Sequence, residues 1–126
     1  MYWAPLTPSP LPSSLPSSGP LALVVPSAAG SPHLAVLLAS LDGAFDLFVV
    51  SEAEDGPGHR IKGTSEAGFA DLANRGLAAA RQAGHSTALL CNDDIRFLPG
   101  ALSLLRTAIA TEGVGVAGPL VLDWEG

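Results

Sequence analysis

Two adjacent carboxylates, Asp93 and Asp94, follow the apolar run 86–91, with Asn92 between run and pair. Two chemistries are open to acids placed there. They can ligate a hard divalent cation, because Mg²⁺ and Mn²⁺ take oxygen ligands. Mg²⁺ usually needs only one or two protein carboxylates and completes its shell with water and phosphate oxygens. Side chains adjacent on an extended backbone diverge, so one acid can hold the ion while its neighbour faces a sugar or a water. Alternatively, the pair caps the turn into the next helix. Spacing alone leaves both readings open.

Other chemistry-bearing residues exclude more than they support. Gly113, Gly115 and Gly118 match G-x-G-x-x-G, but they follow a helical pattern and open no helix, so they offer no helix N-terminus to a pyrophosphate. No Walker loop is present. A phosphoacceptor pair would follow the first strand, where this chain has only Pro26, Ser27, Ala28 and Ala29. His33, His59 and His85 lack ligand spacing and read as surface or capping residues. Cys91 is the single cysteine, so no disulfide forms within the chain. It reads as a small buried hydrophobe, and a reducing, cytoplasmic setting is the simplest. A net charge of −6 argues against a nucleic-acid backbone as partner, but not against a phosphate held through a metal. No apolar stretch has the length of a membrane span, and the N-terminus lacks the basic and apolar regions of a signal peptide.

The elements that must position the acids follow from pattern. Residues 1–20 are rich in Pro and Ser, which predicts a disordered leader ahead of one domain over 21–126. The runs 21–25, 45–50 and 86–91 read as strands buried on both faces. Ser31-Pro32 opens a helix carrying Leu34, Leu37, Leu38 and Leu41. The stretch from Gly68 is a second helix, with Phe69, Leu72, Ala73, Leu77 and Ala80 on one face and Gly84 as its stop. Pro99 opens a third with Leu102, Leu105 and Ile109 inward, and Gly113 ends it. The segments VGVAG and LVLD supply further strand material. Residues 59–62 form a short strand, but 51–58 are too few for a crossover helix, so that strand is irregular or joined by a tight loop. Strands alternating with amphipathic helices predict a mostly parallel sheet covered on both faces. Ligands of such sheets collect beyond the carboxyl ends of the strands, which is where Asp93 and Asp94 fall.

Four segments in order, GFADLANRG, ALLCNDDI, FLPGALSLL and VGVAGPLVLD, resemble the nucleotide-sugar-binding half of family 2 glycosyltransferases, in particular the rhamnosyltransferase-like branch. The resemblance covers residues 68–126, with 21–50 fitting the family's first strand, helix and second strand. It implies a GT-A, Rossmann-like fold, apparently truncated, and a metal-dependent transfer from a nucleotide-diphosphate sugar to a carbohydrate or other hydroxyl acceptor. By the same carry-over Asp94 holds the divalent metal, Mg²⁺ or Mn²⁺. Asn92 meets ribose or a metal-bound water, and Asp93 is the variable middle position. Pro26 and Ser27 approach the nucleobase, Gly68 and Phe69 line the nucleotide pocket, and Glu52 stands where the family has an acidic pair. The general base and acceptor half belong beyond Gly126. The alternative is a non-catalytic fragment that binds nucleotide or serves as an interaction module, with an uncovered sheet flank open to self-association.

Overall fold

The computed structural model describes residues 2–3, 20–64 and 66–123. Their elements are β1 (Tyr2–Trp3), β2 (Leu21–Pro26), α1 (His33–Ala39), β3 (Phe45–Ser51), β4 (His59–Lys62), α2 (Phe69–Gln82), β5 (Ala88–Leu90), α3 (Ala101–Ala110) and β6 (Val116–Ala117). The strands form one sheet in the order β4-β3-β2-β5-β1-β6. The four from β4 to β5 are parallel, and β1 runs antiparallel to both of its neighbours. The chain is therefore an α/β protein with a four-stranded parallel sheet, an arrangement compatible with a Rossmann-like fold.

β2 lies at the centre because every residue from Ala22 to Pro26 is buried. Its alternation feeds two cores. Leu23 and Val25 meet Leu37 of α1 and Leu102 and Leu105 of α3, whereas Ala22 and Val24 meet Ala80 of α2. Helices thus cover both faces. α2 sits close to the sheet through small residues: a Cβ on Gly76 would lie 2.3 Å from Cγ1 of Val24 and 2.9 Å from Cγ2 of Val50. The helix carries Asp71 in its first turn and Arg81 in its last, each favourable to the helix dipole. It ends in a Schellman turn at Gly84, φ 101°, where the His85 N–H donates to the Ala80 carbonyl and the Gly84 N–H to that of Arg81.

Three expectations need correction, and a fourth is met in one of its two forms: β4 is joined to β3 by a tight loop, with no crossover helix between them. β4 pairs only with the last residues of β3, Phe48 to Ser51, so residues 52–58 need to return a mere ~10 Å at about 3.3 Å per strand residue. Gly56 and Gly58 take positive φ in that return. α3 begins at Ala101, not Pro99: Leu98-Pro99-Gly100-Ala101 is a turn, closed by the Ala101 N–H on the Leu98 carbonyl, with Gly100 at φ 84°. Of the strand material after Gly113 only Val116 and Ala117 pair, and Leu120, Val121 and Leu122 are exposed. Finally, Tyr2 and Trp3 of the leader are a strand between β5 and β6, while residues 1 and 4–19, the rest of the segment expected to be disordered, lie outside the described residues.

Candidate functional site

All four parallel strands deliver residues to one rim. Backbone bonds carry β2, β4 and β5 just past their ends: Ser27 N–H to Val50 O at 3.0 Å, Gly63 N–H to Ser51 O at 3.0 Å, and Cys91 N–H to Val24 O at 3.1 Å. Beyond them the chains part, and a cleft of about 440 Å³ opens. β2 contributes Pro26 and Ser27, β3 Ser51 and Glu52, β4 Gly63 and Thr64, and β5 Asn92, Asp93 and Asp94. Ala67, Phe69 and Leu72, at the start of α2, form the apolar wall. β2 and β5 flank the point where the strand order reverses, the usual ligand position in such sheets.

One hydrogen bond spans that point. The Ser27 hydroxyl donates to Oδ2 of Asp93 at 2.8 Å, joining residues 66 apart in sequence. Asp93 is half-buried by this, whereas Asp94 is exposed and has no hydrogen-bond or ion-pair partner among the described residues. Asp93 and Asp94 stand in a turn rather than on extended backbone, and the two differ in exposure and in partner. The lining holds the carboxylates of Glu52, Asp93 and Asp94 and, among the described residues, no Lys, Arg or His. Such a wall repels a bare polyanion and attracts cations.

The donor set is oxygen only, which fits a hard cation rather than zinc or copper. No group of three His, Cys, Asp or Glu among the described residues converges to hold a metal unaided. A cation here would rest chiefly on Asp94 and take its remaining ligands from water and a bound phosphate, the mode Mg²⁺ favours. Cys91 does not line the cleft. It is 7% exposed, and burial pushes its thiol pKa up to about 12, so no thiolate ligand is present at neutral pH.

Seven of the expected site residues, Pro26, Ser27, Glu52, Phe69, Asn92, Asp93 and Asp94, line this one cleft. Gly68 does not: it is the extended N-cap residue of α2. Phe69, assigned by periodicity to the buried face of α2, is 51% exposed and turned to the cleft, because the first helical residue stands ahead of the turns that contact the sheet. Sequence reasoning missed Ser51, Gly63 and Thr64. Ser51 is buried, and its hydroxyl accepts the Ala53 N–H at 3.2 Å, turning the chain out of β3. At Gly63 a Cβ would come within 2.9 Å of Leu72 Cδ2, so a side chain there would press on the apolar wall. The signal available was position: Ser51 ends its strand, and Gly63 and Thr64 follow theirs.

The opposite rim carries a second cluster. Asp46 accepts the Nε2–H of His59 on Oδ1 at 2.8 Å and that of His85 on Oδ2 at 2.7 Å. Phe48 stacks on His59 at 4.8 Å and meets His85 edge-on at 5.9 Å. The His85 hydrogen bond, aided by that of His59, holds the Asp46 carboxyl below its ordinary value against the opposing effect of burial. Two of the three histidines read as scattered thus meet on one aspartate, a convergence that only the β3–β4 register and the Schellman turn reveal.

Comparison of the chain with protein-family models, curated proteins and solved structures gave no match. No helix among the described residues is long and apolar enough to cross a membrane.

Proposed function

We propose that the cleft binds a nucleotide-diphosphate sugar through a divalent cation, Mg²⁺ or Mn²⁺, and that the chain belongs to a GT-A-type, family 2-like glycosyl transfer system in the cytoplasm. The observation that carries this is the meeting of Ser27, Glu52, Phe69 and the segment Asn92–Asp94, four separated stretches of sequence, on one cleft at the switch point of the sheet. In this reading Asp94 holds the cation, and Asn92 presents its amide to ribose or to a coordinated water. Phe69 offers an exposed ring to the base beside Pro26 and Ser27, and Glu52 accepts from ribose hydroxyls. The bound cation supplies neutralisation of the charge that builds on the departing diphosphate. The acceptor hydroxyl would lose its proton to a general base.

Titration with UDP, GDP and dTDP, with and without Mn²⁺, tests the reading. One nucleotide is expected to bind only with the metal, and Asp94→Ala to weaken that binding on the order of 100-fold. Binding indifferent to both metal and Asp94 removes the proposed site.

A second reading, nucleotide binding without transfer, is favoured by a specific observation: Asp93 is engaged by Ser27, which leaves the described cleft short of the carboxylates a self-sufficient metal centre needs. A nucleotide-sugar panel separates the two. Release or transfer of the sugar supports the enzyme, whereas tight binding with an intact donor supports the binding module. In either case Leu120, Val121 and Leu122, all exposed, are proposed as the flank through which copies associate.

A further inference from the structure

Past the Cys91 N–H bond to Val24, the loop that carries the acids, between β5 and α3, is held on either side of Asp94 by residues far from it in sequence. Near its start, Ser27 holds Asp93. Near its end, the backbone N–H of Phe97 donates to the hydroxyl of Ser40 at 2.9 Å, across 57 residues. The same hydroxyl donates to the Leu37 carbonyl at 2.7 Å, which fixes its own orientation on the last turn of α1. Ile95 and Phe97 pack against the core that contains Leu23, Leu37 and Leu102. Asp94 lies between the two pinned points, exposed to the cleft.

Ser40 itself is not part of the cleft lining. We propose that Ser40 is a positioning residue for Asp94, acting through the backbone of Phe97. The proposal rests on the reading that Asp94 holds a cation in the cleft. Its physical basis is the cost of leaving a part-buried N–H without an acceptor. Without the Ser40 hydroxyl, the Phe97 amide must turn toward water. The chain just upstream, including Asp94, must turn with it. A carboxylate that serves as the main protein ligand of an ion tolerates little displacement, and loss of such supporting bonds typically costs tenfold or more in affinity. Ser40 is thereby expected to influence binding at a cleft it does not touch.

The test compares wild type, Ser40→Ala and Ser40→Thr by amide hydrogen exchange, by Mn²⁺-dependent nucleotide titration and by thermal melting. Thr keeps the hydroxyl, so it serves as the rescue. Ser40→Ala is expected to speed exchange of the Phe97 amide about tenfold and to weaken metal-dependent binding about tenfold, while exchange within α2 stays as in wild type. Ser40→Thr is expected to restore both. Unchanged Phe97 exchange in Ser40→Ala overturns the proposal, as does faster exchange with undiminished binding. Failure of the wild type to bind any nucleotide with Mn²⁺ is a different result, visible before any variant is made. It removes the cation site itself, and the positioning role falls with it.

Discussion

At the amino ends of the strands Asp46 is fully engaged by two imidazoles, whereas at the carboxyl ends Asp94 stands exposed and without a described partner. The same side chain thus has two different employments on one sheet. Asp46 ties β3 to β4 and to the segment after α2, and its interactions are internal. Asp94 does nothing for the fold that the described residues reveal. Under the proposed reading the Asp94 charge serves a bound cation and the Asp46 charge serves the fold, and the contrast between the two rims makes that reading testable.

The contrast can be tested by its extremes. Asp94→Ala is expected to weaken metal-dependent nucleotide binding on the order of 100-fold while leaving the melting temperature essentially unchanged, measured by calorimetric titration and thermal denaturation. A comparable loss of stability would erase the distinction between the rims. Gly76→Ala should break the contrast from beneath, since α2 supports both. Its new methyl would meet Val24 and Val50, and overpacking of this kind costs about 1–3 kcal/mol, readable in urea denaturation. Phe69→Ala is expected to leave stability within about 0.5 kcal/mol and to weaken nucleotide binding about fivefold, the scale of one aromatic contact.

Asp46→Ala should give the mirror image of Asp94→Ala: nucleotide affinity unchanged, stability lower by about 0.5–1 kcal/mol, discounted for the partial exposure of the cluster. Its pH signature follows from linkage. The folded carboxyl titrates below the ordinary 3.8, so its contribution is complete above that value and is lost as pH falls through the lower folded one. Wild type is therefore expected to lose more stability than Asp46→Asn between about pH 4 and pH 2, in urea melts at stepped pH. Equal slopes in the two proteins would show that the histidine bonds contribute nothing.

The sequence announced the cleft more clearly than the cluster opposite, and the reason is geometric. Residues that follow buried strands are easy to locate, because the β-branched runs 21–25 and 45–50 mark their own ends and every such end in a parallel sheet points to the same rim. Ser27, Glu52 and Asp93 could be grouped on that basis without knowing any register. His59, Asp46 and His85 could not. Their meeting depends on which residues of β3 face β4 and on how a helix terminates, and neither leaves a periodic trace. The sequence leaves the return from β3 to β4 open between an irregular strand and a tight loop for a related reason: the usual crossover length assumes strands in step, and β4 is offset toward the rim. The pairing of Tyr2 and Trp3 had no local signal either, since two residues are too few to show alternation.

Cys91 lies directly before Asn92, walled in beneath the acid-bearing loop, with its thiol held protonated by burial. A maleimide or iodoacetamide needs both access and a thiolate, and the closed protein offers neither. The rate at which such a reagent modifies this single sulfur is therefore a clock for how often the floor under the loop comes apart. A bound nucleotide that clamps the loop should slow that clock, which gives a covalent, mass-detectable readout of occupancy requiring no label on the ligand.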